Sequence, residues 1–317
     1  MNQPHRVLPL ALGLLLVAGL AGSLLQPYEV YLISLWAVYT ISALGLNLTL
    51  GFAGQISLAQ ASFVGFGAYA TALLLPHGVP FGVTLVIGAA ISFILGILLG
   101  FPALRVQGHY LAFVTLALAT IAFLVFRNES WLTHGTSGID KIARPFPFTS
   151  GVAYMWLCLG SLALVTLGVW WLLRSPWGRA FLALRENPVR AASLGIDVRT
   201  YTLLAFAIGA ALGGVSGALF APLGQYIEPS EFALPLSFSL LLMVVVGGSG
   251  TFMGPFLGAI VSVALPEVLR SLQDYYLLIY GIIVILLLVF SPDGVVGIIA
   301  RAVARLRPAA APVEPTP

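Results

Sequence analysis

Charge is what this chain has least of. Only 8% of its 317 residues are Asp, Glu, Lys or Arg, while 60% are hydrophobic. A soluble domain has about a quarter of its residues charged, so the composition excludes an ordinary water-soluble fold and makes the bilayer the solvent. Lysine is nearly absent: Lys141, in "SGIDKIA", stands alone. A phosphate-binding P-loop needs a lysine directly after its glycines, so the chain carries no Walker-type ATPase. The one cysteine, Cys158, lies in an apolar run, without a thiol partner for an internal disulfide or a metal site, and is read as a small core residue.

Histidine is scarce as well. "GTSG" (135–138), "GVSG" (214–217) and "GGSG" (247–250) have the form of the rhomboid-protease nucleophile motif, but that mechanism needs a downstream histidine base, and none follows His134. His5, His77 and His109 sit at loops or run ends without metal-ligand spacing. Patterns of small residues such as these serve close helix approach more often than catalysis. The net charge of +3 does not point to nucleic acid, because the arginines fall in gaps between apolar runs and not on one basic face.

What is abundant is the apolar run. Stretches at 8–25, 30–50, 82–101, 110–126, 153–173, 201–223 and 275–291 are long enough to cross roughly 30 Å of hydrocarbon. Three more, 58–75, 236–248 and 253–266, are shorter or interrupted. The expected fold is an all-α polytopic membrane protein of about ten transmembrane helices, some short or broken, in a transmembrane domain over 1–307. His5 and Arg6 before "VLPLALGLLLVAGLAGS" would also suit a signal peptide, but a first span is the better reading of a run this long. Ten spans put both termini on one side. They also gather Arg6, Arg105, the arginines of 174–199 and Arg301, Arg305 and Arg307 in the cytoplasm, as the positive-inside rule asks; Arg127, Lys141 and Arg144 then lie outside. Residues 308–317, "PAAAPVEPTP", are Pro/Ala-rich and expected to be a disordered tail. No acidic or basic residue falls inside an expected span, although ion-coupled transporters usually keep one at an insertion cost of about 2.5 to 3.5 kcal/mol.

Against this background the segment 174–200 is a polar island, with Arg174, Arg179, Arg185, Glu186, Arg190, Asp197 and Arg199. Asn187 is a good N-cap, Pro188 suits the first helical position, and Gly195 suits a left-handed C-terminal position, so 188–194 reads as a helix of two turns at most. A helix that short is marginal in water and is expected to be held by docking, with Ala191, Ala192 and Ile196 forming an exposed knob. An ordinary cytoplasmic loop, tidily capped, is the alternative.

Glu186, Ala191-Ala192 and Gly195-Ile196, followed by "VRTYTLLAFAIGAALGGVSGALFA", resemble the cytoplasmic coupling loop of ABC-importer permeases. More narrowly they are similar to the branched-chain amino-acid importer permeases. Further motifs of that family stand in order: "LGLNLTLGFAGQISLAQASFVGFGAYATALL" (44–74), "LRVQGHYLAFVTLALA" (104–119), "GTSGI" (135–139), "SPWGRAF" (175–181) and "VVVGGSGTFMGPFLGA" (244–259). The "RVQGHYLAFVTLA" element favours the LivM subtype over its LivH-type partner. The alanine pair is separated from Glu186 by four residues, a departure from the contiguous Glu-Ala-Ala form of the loop.

The resemblance implies an alternating-access permease in a bacterial plasma membrane, without cofactors of its own. Its partners would be a LivH-type permease, two ABC ATPases that bind ATP and Mg, and an extracytoplasmic amino-acid-binding protein. Arg185, Glu186, Asn187, Arg190, Ala191, Ala192, Gly195 and Ile196 would couple it to the ATPases. Glycine and polar residues interrupt the apolar runs at "GFAGQIS" (51–57) and "GGSGT" (247–251). Irregular backbone at membrane depth survives only where protein or a cavity satisfies it, which makes Gly51, Gly54, Gln55, Ser57, Gly248 and Ser249 candidates for the translocation path. The alternative is that both are short cytoplasmic turns. A urea or short-amide cargo, or a stand-alone transporter or channel, fits the same uncharged spans.

Overall fold

The computed structural model describes residues 4–103 and 109–269, together with positions 279, 281, 282, 285, 294–298 and 301. These residues are helical almost throughout. The elements are α1 (Pro4–Gly22), α2 (Pro27–Leu46), α3 (Gln60–Leu74), α4 (Phe81–Ala103), α5 (His109–Asn128) and the single turn α6 (Ser130–Thr133). After a loop come α7 (Gly151–Arg174), α8 (Pro176–Glu186), α9 (Pro188–Ser193), α10 (Val198–Gly224), α11 (Leu234–Gly247) and α12 (Gly254–Leu269). A helix therefore stands on each expected apolar run up to residue 266. The run at 275–291 falls largely outside the described residues, and Arg105 and the tail 308–317 lie wholly outside them.

Among the described residues, five stretches are long and apolar enough to cross a bilayer: Pro27–Phe52, Phe81–Phe101, Tyr110–Asn128, Gly151–Arg174 and Val198–Gly224. The three runs expected to be short are so, with 15 residues in α3, 14 in α11 and 16 in α12. Burial separates the long spans by position. The span that starts at Pro27 is 78% buried and α10 67%, against 22% for the one that starts at Phe81. The first two form the centre, and α4 lies at the periphery with its apolar side chains turned outward.

Small residues make that centre possible. A Cβ on Gly217 of α10 would strike the carbonyl oxygen of Val64 on α3, and one on Gly67 of α3 would strike that of Gly214. A Cβ on Gly214 would come within 2.5 Å of the Gly88 carbonyl oxygen on α4. Without a hydrophobic drive between helices in lipid, such close backbone approach is the main source of packing energy. The "GAALGGVSGALFA" stretch thus packs closely against both α3 and α4. Cys158 is fully buried in α7, as its apolar setting suggested.

Local caps punctuate the chain. Ser150 accepts from the Ala153 N–H at 3.1 Å to open α7. Ser175 opens α8 with Pro176 at the first position, and Asp197 opens α10 by accepting from the N–H groups of Arg199 and Thr200. The C-terminal ends of α2, α7 and α11 and the N-terminal ends of α10 and α12 share one end of the bundle with α8 and α9. The other end carries the loops around 129–150 and 225–233, tied by paired backbone bonds between Ile139 and Ile227.

Candidate functional site: a junction of two helix breaks and a docked helix pair

The island folds as two helices, where the sequence suggested one. The first, α8, is amphipathic: Gly178, Ala180, Phe181 and Leu184 are buried, while Arg185 and Glu186 are exposed. Phe181 is fully buried among Leu48, Phe52 and Ala53, Leu172 of α7 and Ala205 of α10. Burying a phenylalanine contributes about 1.5 to 3 kcal/mol. This anchor fastens α8 to the end of α2.

The second helix, α9, has the expected caps. Asn187 Oδ1 accepts from the Arg190 N–H at 3.0 Å. At the other end the Ile196 N–H donates to the Ala191 carbonyl at 3.1 Å and the Gly195 N–H to that of Ala192 at 3.0 Å. With Gly195 at φ +82°, this pair of bonds is a Schellman closure. The knob, however, is composed differently from the expectation. Ala191 is only 1% exposed, because its small side chain is the one α9 turns inward when it docks. Ala192 is exposed and Ile196 part-exposed, while the apolar side chains that project furthest are Val189 and Leu194, each 79% exposed.

Both interruptions of the apolar pattern are real breaks. Residues Asn47–Phe52 continue α2 as a π-helical turn, in which the Ala53 N–H reaches back to Leu48 O at 3.0 Å and that of Gln55 to Thr49 O at 2.9 Å. Wide turns of this kind concentrate at functional positions in helices. After Gly54, at φ +70°, the chain runs non-helically to Gln60 inside the bundle. Its backbone is satisfied by side chains from several helices. Leu58 N–H donates to Thr115 Oγ1 at 3.0 Å, Ala59 N–H to Ser57 Oγ at 3.3 Å, and Ala61 N–H to Ser237 Oγ at 3.1 Å. Gln60 Nε2 donates to the carbonyls of Ser42 at 3.2 Å and Gly209 at 3.1 Å. Of the candidate path residues, Ser57 and Gly51 are buried, Gln55 is part-exposed, and Gly54 lies at the surface.

The second break, between α11 and α12, lies against the first. Asn47, itself 1% exposed, donates from Nδ2 to Thr251 O at 2.9 Å and accepts on Oδ1 from the Gly250 N–H at 2.8 Å. A Cβ on Gly51 would strike both Asn47 Oδ1 and the Gly250 nitrogen. Gly248 is buried at φ 118°, and Ser249 beside it is part-exposed. Arg185 of α8 closes the junction. A Cβ on Gly54 would stand 3.3 Å from the Arg185 Cα, and one on Gly250 would run into its guanidinium.

Of the residues expected to couple, Arg185 is the one that reaches both breaks, at Gly54 and Gly250. Asn47, Gln60, Thr115, Ser237 and Gly250 belong to the junction and were not singled out. An Asn and a Gln inside runs of apolar residues, at 47 and 60, were the available signal. Glu186 and Arg190 are exposed at the rim.

The sequence comparisons bear on the same residues. Positions 28–288, which hold both breaks and the docked helices, match the family described as branched-chain amino acid transport system / permease component. The high-affinity branched-chain amino acid transport system permease protein LivM of Escherichia coli (strain K12) is 35% identical over 289 residues, 82% of this chain and 68% of that protein. A probable branched-chain amino acid transport permease protein LivM of Methanocaldococcus jannaschii is 25% identical over 319 residues, covering 84% of this chain and 92% of its own length. The autoinducer 2 import system permease protein LsrC of Enterobacter sp. (strain 638) is 29% identical over 213 residues, 65% of this chain and 61% of that protein. No solved structure matches the chain. A chain of apolar spans with a docked helix pair at one end, matched over most of its length, belongs to the family of branched-chain amino acid transport permease components.

Proposed function

We propose that this chain is the LivM-type permease subunit of a binding-protein-dependent ABC importer for branched-chain amino acids. Two ATPase subunits bind ATP and Mg and supply the work that the chain, without a P-loop lysine, cannot generate. A LivH-type permease completes the membrane unit, and an extracytoplasmic protein delivers the cargo. The chain lies in a bacterial plasma membrane with ten spans and both termini in the cytoplasm, over a permease domain of 1–307 and a short tail.

One observation carries the mechanism: α8 is fastened by Phe181 to the break in α2, and its Arg185 sits on both glycine breaks. Val189 and Leu194 project from α9 as the apolar contacts for an ATPase groove. When the ATPases close on ATP, the α8–α9 pair moves with them. The shift passes through Phe181 and Arg185 to the π-turn of α2 and the turn at 248–251, whose rearrangement opens the non-helical segment 53–60, buried from Ser57 on, to one side. Gly54, Gln55 and Ser57 lie in that segment, and Gly51, Gly248 and Ser249 complete the path. Backbone there is held by hydroxyls and one amide, not by ionised groups, so an uncharged or zwitterionic cargo is not trapped in transit.

Uptake into proteoliposomes tests the reading. Leucine should enter only when the second permease, the ATPases with ATP and the binding protein are all present. Transport by this chain alone would overturn it in favour of a secondary transporter or channel. A urea or short-amide cargo suits the same uncharged segment, and competition of labelled leucine by urea separates the two.

A further inference from the structure

The turn at 248–251 has a further neighbour that coupling through α8 leaves unused. Residues 294–298, beyond α12, are helical, and Gly294, the first of them, has φ +68°. A Cβ placed on Gly294 would stand 2.6 Å from the Gly248 nitrogen, 2.6 Å from the Val246 carbonyl oxygen and 2.8 Å from the Gly247 carbonyl carbon. All three are backbone atoms, of the end of α11 and the break that follows it, so none can swing aside as the tip of a long side chain would. Glycine is required there twice over, for its left-handed conformation and for the approach of backbone to backbone.

The hairpin that this turn joins is stiff. A Cβ on Gly247 would strike the Gly254 carbonyl oxygen, and one on Gly258 would strike that of Met243, so α11 and α12 pack main chain on main chain. Thr251 Oγ1 donates to Gly248 O at 2.7 Å and closes the turn on itself. A stiff body pushed at one point and free elsewhere shifts as a whole; pushed at Gly250, where Arg185 lies, and held at Gly248, it pivots. The two arms of such a pivot differ in length. Gly248 and Gly250 are at most about 7 Å apart, whereas Ser237 lies about 16 Å from Gly248 along α11. Ser237 Oγ accepts from the Ala61 N–H at 3.1 Å, just past the non-helical segment 53–60. A small displacement at Gly250 is therefore enlarged about two-fold where α11 holds the start of α3.

We propose that Gly294 is the positioning residue of a fulcrum: it seats 294–298 against the end of α11, and force arriving at Gly250 through Arg185 tilts the α11–α12 hairpin about that contact. The tilt draws Ser237 off the Ala61 amide and frees the start of α3. Backbone seated on backbone suits a pivot, because packed main chain gives way in discrete steps and not gradually. The inference rests on the importer reading and supplies the fixed point that its lever works against.

The test uses the complete importer with its binding protein in proteoliposomes. Gly294→Ala should lower leucine imported per ATP hydrolysed about five-fold, with hydrolysis itself kept within two-fold of the unsubstituted complex. Combined with Gly250→Ala it should do no further harm than the poorer single variant, because both act on one lever. An uptake ratio within two-fold of the unsubstituted complex overturns the proposal, as does a parallel fall of hydrolysis and uptake, which marks packing alone, or losses that multiply in the double variant. Hydrogen exchange on the unsubstituted complex reads the same contact without a substitution, and decides the matter if Gly294→Ala does not assemble. Between the nucleotide-free and vanadate-trapped complexes the amides of 249–251 should change protection while those of 295–298 hold theirs. Equal changes in both mean that the segment travels with the turn, and overturn the fulcrum. An unsubstituted complex without ATP-dependent leucine uptake fails at the importer reading itself, before any variant is compared.

Discussion

The guanidinium of Arg185 occupies the place that a side chain on Gly250 would need. These residues lie on elements far apart in sequence, α8 and the turn between α11 and α12, and their contact joins the docked helix pair to the second break. Gly250 also has φ +74°, a conformation that costs an L-residue about 1 to 2 kcal/mol. Gly250→Ala should therefore push Arg185 off the turn and uncouple the machine. The expected result in proteoliposomes is a several-fold fall in leucine imported per ATP hydrolysed, with hydrolysis itself maintained. Adding Arg185→Ala to Gly250→Ala removes the collision but not the lost link, so the ratio should stay low. A double variant that recovers full coupling would show that Arg185 transmits nothing.

Gly195 offers a cleaner substitution, because no atom outside its own chain neighbourhood lies within 4 Å of a Cβ placed there. Its φ of +82° is the whole constraint. Gly195→Val should lose about 1 to 2 kcal/mol of local closure at the end of α9 and fray the Schellman bonds, leaving the spans intact. Membrane insertion and assembly should match the unsubstituted chain while ATP hydrolysis and uptake separate. Unchanged coupling would count against α9 as a lever.

Asn47 holds the two breaks together with one donated and one accepted bond, and it is buried. Asn47→Leu strips both and leaves the Gly250 N–H and the Thr251 carbonyl without partners, each worth about 1 to 3 kcal/mol if it stays dry. The detergent-solubilised complex should unfold several degrees lower, a shift that thermal denaturation followed by fluorescence-detected size exclusion would measure. A midpoint unchanged within a degree would mean that water replaces the amide at no cost.

Asp197 supplies a pH dependence. Hydrogen bonds from Thr200, first from its side chain and then from its backbone, hold the carboxyl below its ordinary range. A carboxyl lowered by folding stabilises the folded state above its unfolded pKa, and that contribution disappears as pH falls through the lowered folded value. The amides of Arg199 and Thr200 should accordingly lose protection from hydrogen exchange in acid below the usual Asp range. Asp197→Asn keeps the cap, since asparagine serves there equally well, and should remove the pH dependence. Equal acid sensitivity in both would assign the effect elsewhere.

Several of these features could be read without a fold. The helices α1, α4, α5, α7 and α10 follow the apolar runs to within a few residues, because the length of a run and the thickness of hydrocarbon leave little choice. The caps of α9 were legible for a different reason: Asn187, Pro188 and Gly195 act on backbone within one or two turns, so their chemistry is contained in the local chain. The amphipathic α8 was legible in principle, with Phe181 and Leu184 one turn apart on one face, but among so many apolar neighbours its buried side did not stand out.

Composition and run length alone determined that this chain lives in a membrane, as helices. Only the tertiary structure decided that Ala191 turns inward while Val189 and Leu194 point out, since which face of a short helix is covered depends on what it docks against. The same holds for the meeting of Asn47 with Gly250 across 203 positions. Contacts of that kind are chosen by how helices pack, and helix packing in lipid follows the fit of small residues over long separations, which no local stretch of sequence encodes.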